Sequence, residues 1–274
     1  MRKILTIFFA SSLALFAIIA LFTSLQQSTV PIASAALPAN HPALSPNGPA
    51  PDPTISTTTL LDFFQPGTQP NHITDTIDSP EQCVGCHANY SGQVNQPAEY
   101  EPWTGWAGSM MAQSGRDPVF YAALDIANAD AAFAGEFCLR CHLPRGWLDG
   151  RSTTTDGSAM TAVDQEGVQC EVCHRLVDPV YSSENPDRDL TVLAAITSSV
   201  TIPGNANLIV DTADYRRGPF DVVADNSLDP HNPFAAAQDT LVSPYHQDSA
   251  LCGSCHDISN PLLTWDEPSQ SYVL

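Results

Sequence analysis

Four copies of Cys-x-x-Cys-His use up every cysteine in the chain and set the tightest limit on how it can fold. They are Cys83-Val-Gly-Cys86-His87, Cys138-Leu-Arg-Cys141-His142, Cys170-Glu-Val-Cys173-His174 and Cys252-Gly-Ser-Cys255-His256. Two cysteines three residues apart on a helical turn share one side, so both can reach the same flat ligand. The His that follows falls beneath the centre of that ligand. A porphyrin with two vinyl groups and a central iron matches this spacing. Each cysteine then forms a thioether, and His87, His142, His174 and His256 are the proximal iron ligands. Paired cysteines in an exported chain also build disulfide frameworks, and Cys-x-x-Cys pairs also bind zinc. Neither alternative accounts for a His after every pair in a chain with 8 His among 274 residues. The expected cofactors are four covalent haem c groups, each with its iron.

The N-terminus agrees with that chemistry, because haem of this kind is attached outside the cytoplasm. Arg2 and Lys3 precede an uncharged apolar run from Ile4 to Leu25, and Ala33-Ser34-Ala35 offers a small-x-small cleavage site. Residues 1–35 are expected to be a signal peptide, placing the mature chain in the periplasm or on the extracellular face of the membrane. The run at residues 4–25 is also long enough to span a bilayer, so an uncleaved membrane anchor is the alternative. No cysteine precedes Cys83, which excludes a lipid anchor on an N-terminal cysteine.

The formal net charge is -20, and Lys3 is the only lysine. A polyanion would be repelled, which argues against nucleic acid as a partner. The acidity suits either solubility or docking to a basic redox partner. The expected partners are other redox proteins or quinol-linked membrane complexes.

Residues 36–80 carry eight prolines between Leu37 and Pro70 and read as an extended linker, with one apolar patch at Leu60-Leu61-Asp62-Phe63-Phe64 that should pack onto the domain following it. Residues 81–274 are expected to form the haem domain. Asp117-Pro118 is a helix start, and Phe120, Leu124, Ile126, Ala127 and Ala131 follow at a rough helical period toward Cys138. Residues 143–165 read as a loop, and Gly167 to Arg175 as a short helical turn. Leu190–Val200 and Leu208–Thr212 read as short strands, and Asp248 to His256 as a last helix. No closing element is recognisable near Leu274, which suggests a fragment. With 23 prolines and uneven motif intervals, the expected fold is mainly α with extensive irregular structure, a multihaem cytochrome c wrapped around a stacked haem core. The second and third motifs, nearest in sequence, are the expected close pair.

Candidates for the distal iron positions are fewer. His246, in Pro244-Tyr245-His246, lies just ahead of the fourth motif; His231 and His72 are further candidates, while His41 reads as a surface residue. Met111, beside Met110, is either core filler or a thioether ligand. With no lysine after Lys3, any haem propionate pairing falls to arginine, and Arg140, Arg145 and Arg175 stand nearest the motif histidines.

Four further segments carry a resemblance: Phe63-Phe64-Gln65-Pro66-Gly67-Thr68-Gln69-Pro70, Trp106-Ala-Gly-Ser109-Met110-Met111, Arg116-Asp117-Pro118-Val-Phe120 and Cys138 through Trp147. Over about residues 60–258 the chain resembles bacterial multihaem cytochromes grouped with the tetrahaem cytochrome of ammonia oxidation, whose relatives include nitrite reductases and hydroxylamine oxidoreductases. In that group a Trp-x-x-Ser-x-His segment commonly supplies a distal His. Met111 stands at the position of that His, so the resemblance favours Met111 over Met110 and departs from bis-His ligation there. Longer relatives carry further haems beyond the region where this chain ends, which agrees with a fragment.

Two functions compete. One is electron transfer, with haems capped on both faces and no catalytic residue. The other is an enzyme or enzyme subunit acting on a small nitrogen or sulfur compound at an open haem position. The mature chain offers no lysine as an alternative proximal ligand, and nothing assembles a convergent polar pocket, so electron transfer is the expectation.

Overall fold

Proline and short polar caps decide where the helices begin. A computed structural model describes residues 58–89, 100–198, 200, 204–220, 241–258, 264–266 and 268–273. The chain divides into two units, Met1–Ala50 and Pro51–Leu274. The first, with the export segment at 1–35, the apolar run at 4–25 and His41, lies outside the described residues, as does His231.

The helices in chain order are α1 (Val84–His87), α2 (Pro102–Ala107), α3 (Met110–Gln113), α4 (Pro118–Asp130), α5 (Gly135–His142), α6 (Pro144–Leu148), α7 (Cys170–His174), α8 (Asp187–Ala195) and α9 (Ser249–His256). Asp117 accepts from Val119 N at 2.8 Å with Pro118 at the first helical position, and Asp248 accepts from Ala250 N at 2.9 Å to start α9. Strands are few. β1 (Arg217–Gly218) pairs in parallel with β2 (Leu241–Val242), and β3 (Thr264–Asp266) pairs antiparallel with β4 (Ser271–Val273). No helix among the described residues is long and apolar enough to cross a membrane.

Several expectations change. The helix from Asp117 does not run on to Cys138: α4 stops at Asp130, Phe133 takes a positive φ of 70°, and α5 begins afresh at Gly135. The Asn128 side chain fixes this break, accepting from Gly135 N and donating to Thr155 O, both at 2.9 Å. A side chain on Gly135 would collide with the Thr155 carbonyl, so glycine is required. On α4, Phe120 and Leu124 are buried, whereas Ile126 is exposed. Within 143–165, expected as loop, Pro144 starts α6 and a 3-10 turn covers Asp164–Glu166. Leu190–Val200 is no strand; Asp187 and Asp189 in the first turn favour α8 instead. Of the second expected strand, a single bridge remains, Leu176 to Val210. The β3–β4 hairpin supplies an element near the end of the chain that the sequence did not reveal.

The linker expected up to residue 80 is part of the body from residue 58 onward. Ile77 is fully buried, Thr68 Oγ1 donates to Val210 O at 3.1 Å, and Arg140 donates to the carbonyls of Gln65 (3.0 Å) and Pro66 (2.6 Å). Backbone carbonyls make much of this attachment alongside Ile77, and carbonyls carry no sequence signal. Of the patch at 60–64, only Phe63 is buried.

The main core joins Phe120 and Leu124 of α4 to Leu139 of α5, Trp147 and Leu148 of α6, and Tyr245. Each such apolar side chain contributes on the order of 2 kcal/mol. Beside this core, the Asp164 side chain is fully buried and meets Arg145 (2.9 Å) and Arg151 (2.6 Å) while accepting from Thr161 N at 2.8 Å. Burial pushes its carboxyl up, but Arg151 and Thr161 outweigh this and hold it below the usual range. A carboxyl lowered by folding stabilises above its unfolded pKa, near 4, and loses that contribution as pH falls through the folded value. Asp164→Asn should therefore cost about 2 kcal/mol at neutral pH. Denaturant unfolding should show the gap to wild type closing in acid; a gap independent of pH contradicts this account.

Candidate functional site

Each Cys-x-x-Cys-His motif lies on a helix that ends at its histidine. α1 ends at His87, α5 at His142, α7 at His174 and α9 at His256. All eight thiols are free. Within each motif the helical turn sets the two thiols on one side, with the histidine next in line.

The fold brings motifs together across long stretches of sequence. Cys83 and Cys170 lie close enough to perturb each other: Cys83 is lowered to about 7, first by Cys170 and then by Arg216, and Cys170 is raised. Burial lowers His87, and His174 is close enough to lower it further. Glu171, between the cysteines of the third motif, supports this approach from below. It accepts from Asp78 N, which leads into the first motif, and from Arg175 Nη1 at 3.2 Å. Burial pushes the Glu171 carboxyl up to about 7 against these donors. The second and fourth motifs meet in the same way. Cys141 is lowered chiefly by Cys255, and His256 adds to the burial that lowers His142. Between the two pairs, burial pushes Cys173 up to about 12, with Cys255 and Cys252 adding to it.

The motifs are thus linked in the order first, third, fourth, second. Trp147 and Leu148 of α6, just after the second motif, turn into the core, and the third motif's cysteines are perturbed by those of the first and fourth.

The motif histidines and His246 have distinct surroundings. His174 Nδ1 lies 2.7 Å from the Arg217 carbonyl, so a proton on Nδ1 is donated there and Nε2 keeps its lone pair for an iron. His142 stacks on Phe120 with ring centroids 4.0 Å apart and a 9° tilt, and its Nδ1 is buried without a hydrogen-bond partner. His246 faces His174, with ring centroids 6.1 Å apart and planes within 17°. Its Nε2 is 3.0 Å from Cys173 O, its Nδ1 is buried and unpartnered, and burial lowers it to about 4. Paired thiols in no disulfide, each pair followed by an imidazole, are the donor set that a covalent haem requires, so the residues present fit the group.

The other distal candidates are placed differently. His72 is exposed and lines a cavity of about 160 Å³ with Arg188 and Asp211. Met111 is 44% exposed; its carbonyl accepts from Val168 N at 2.9 Å, which sets α3 beside the entry to α7. The arginines nearest the motif histidines are committed within the protein. Arg140 holds two carbonyls, Arg145 holds Ile77 O and Asp164, and Arg175 holds the carbonyls of Asp211 and Asp75. Glu171 and Arg217 escaped the sequence reading. The first sits at a variable position of its motif, and the second acts through a backbone carbonyl that no side-chain pattern marks.

Residues 82–175 match the model of the family Cytochrome c554 and c-prime. No curated protein matches the chain. One solved structure that it resembles is a penta-heme cytochrome c552 from Thermochromatium tepidum, with 20% identity, a TM-score of 0.41, and coverage of 74% of this chain. The chain spans about half of that protein, 49%. The family match, covering the first three motifs, supports a multihaem c-type cytochrome. Cys170→Ser with Cys173→Ser should lower covalently bound haem by one per chain in a pyridine haemochrome assay; an unchanged count would remove the third motif from the attachment sites.

Proposed function

We propose that the chain is an exported electron carrier that holds four covalent haems and passes electrons along its motifs in the order first, third, fourth, second, or the reverse. The observation that carries this is the way side chains tie the motifs together: Glu171 of the third accepts from Asp78 N ahead of the first, and His246 ahead of the fourth faces His174 of the third, while Cys141 of the second and Cys255 of the fourth lie close enough to perturb each other. When bound, each haem supplies an iron that takes up and gives up one electron. The protein supplies attachment and orientation. Two thiols of each motif would tether one ring, and His87, His142, His174 and His256 would each supply a ligand to its iron. The Arg217 carbonyl sets the tautomer of His174.

His246 is the proposed further iron ligand at the third motif: its ring faces His174 and its buried Nδ1, left free while Nε2 meets Cys173 O, would bind the iron. Met111, His231 and His72 stay as the further distal candidates, with Met111 favoured by its place in the Trp106 to Met111 segment. That segment, with Arg116 to Phe120, also supports placing the chain near the tetrahaem cytochromes of ammonia oxidation. The signal-like residues 1–35 support export, with the run at 4–25 as a possible membrane anchor, and a net charge of -20 suits docking to a basic redox partner or a quinol-linked membrane complex.

Low-temperature EPR of the purified holoprotein tests the carrier role. Low-spin haems alone are expected; a high-spin haem that binds nitrite or hydroxylamine would move the assignment to an enzyme. His246→Ala should convert one haem, and only one, from low spin to high spin. An unchanged low-spin spectrum would remove His246 from the ligands.

A further inference from the structure

Beneath the third motif lies a buried cluster of four charges. The side chains of Arg217 and Asp189 are both fully buried, with Nη2 to Oδ1 at 2.7 Å and Nε to Oδ1 at 2.9 Å. Arg217 Nη2 also reaches Asp211 Oδ2 at 2.9 Å. Asp211 is gripped in turn by Arg188 through Nε and Nη2, each at 2.6 Å, and Arg188 lies over the Tyr215 ring at 3.4 Å. Two arginines face two carboxylates, so the cluster is formally neutral. Asp189 makes both contacts through one oxygen, while its Oδ2 is buried without a hydrogen-bond partner.

Arg217, Asp189 and Asp211 are fully desolvated and Arg188 partly so, which is costly, and apolar residues of similar volume often stabilise as much. Stability therefore does not explain the cluster. Its position does: the residue it immobilises, Arg217, is the one whose carbonyl receives His174 Nδ1. The same guanidinium also lies close enough to His246 to oppose its protonation. Both imidazoles that face each other at the third motif thus stand next to one clamped arginine.

We propose that Asp189 and Arg217 are positioning residues for the haem of the third motif, clamping the carbonyl that orients His174 and setting that haem's potential through the local charge balance. This rests on the electron-transfer reading above. Reduction of a ferric iron by a one-electron donor lowers the charge at the iron by one. A nearby carboxylate favours the ferric form. A firm hydrogen bond from Nδ1–H to the Arg217 carbonyl favours it too, by making the imidazole a stronger donor. Removing the Asp189 charge weakens both effects in the same direction, so the potential rises.

The test uses the full-length holoprotein, with spectroelectrochemical titration and low-temperature EPR. Asp189→Asn should raise one midpoint potential, with about a tenfold larger equilibrium constant for reduction of that haem, or 59 mV for one electron. It should also shift the g values of one low-spin signal and leave the others in place. Asp189→Glu should restore the wild-type values. Asp156→Asn, the same charge change on an exposed loop, should move nothing. Arg217→Lys keeps the buried charge but cannot span both carboxylates, and it should broaden the same EPR signal. If Asp189→Asn does not accumulate, Arg217→Lys decides alone. Wild-type potentials and spectra in the variants overturn the clamp while leaving the carrier reading intact. A wild-type protein without covalent haem overturns the carrier reading itself.

Discussion

Glu171, held by Arg175 and by Asp78 N, ties the third motif to the approach to the first, and the rest of the molecule depends on supports of this kind. Each motif lies on a helix of between four and eight residues, too short to persist in water unaided. Something outside the helix must hold it. For α7 that support is Glu171 with Arg175 and Asp78 N, and for α5 it is Arg140 gripping the carbonyls of Gln65 and Pro66. The packed core under α4, α5 and α6 then keeps these supports in register.

Arginine is the common strut. With Lys3 as the only lysine, the chain relies on guanidinium groups, whose fixed fork of donors can bind two acceptors at once. Arg140, Arg145, Arg175 and Arg217 each reach at least one backbone carbonyl from a buried or half-buried position. This binding satisfies loop carbonyls that no regular strand could pair, which is how a fold with so little sheet stays closed. It also accounts for the segment at residues 58–80. Proline there prevents helix and sheet, yet the carbonyls it leaves free are the ones Arg140 takes up.

Much of the site was legible from the sequence, and the limit of legibility is physical. The motifs announce themselves because two thioethers and one axial ligand dictate a fixed spacing along one turn. Helix starts at Asp117-Pro118 and Asp248 were legible because a capping carboxylate acts within three residues. The run at Leu190–Val200 misled because its Val, Thr and Ile suit a strand locally, whereas Asp187 and Asp189 start a helix and Asp189 is held by Arg217 from outside it. Spatial order was not legible at all. Which motifs approach one another depends on where α6 and the Asp164 turn send the chain. The Arg217 carbonyl was equally hidden, since a backbone atom carries no sequence signal.

The central claim is that all four motifs hold haem and none holds a disulfide or zinc. The intact mass of the purified, exported protein under denaturing conditions, read beside its thiol titration, tests it most directly. The account predicts four haem masses on each chain and no titratable thiol. A chain carrying fewer haems, with the remaining cysteines oxidised to disulfides or free to bind zinc, would contradict it.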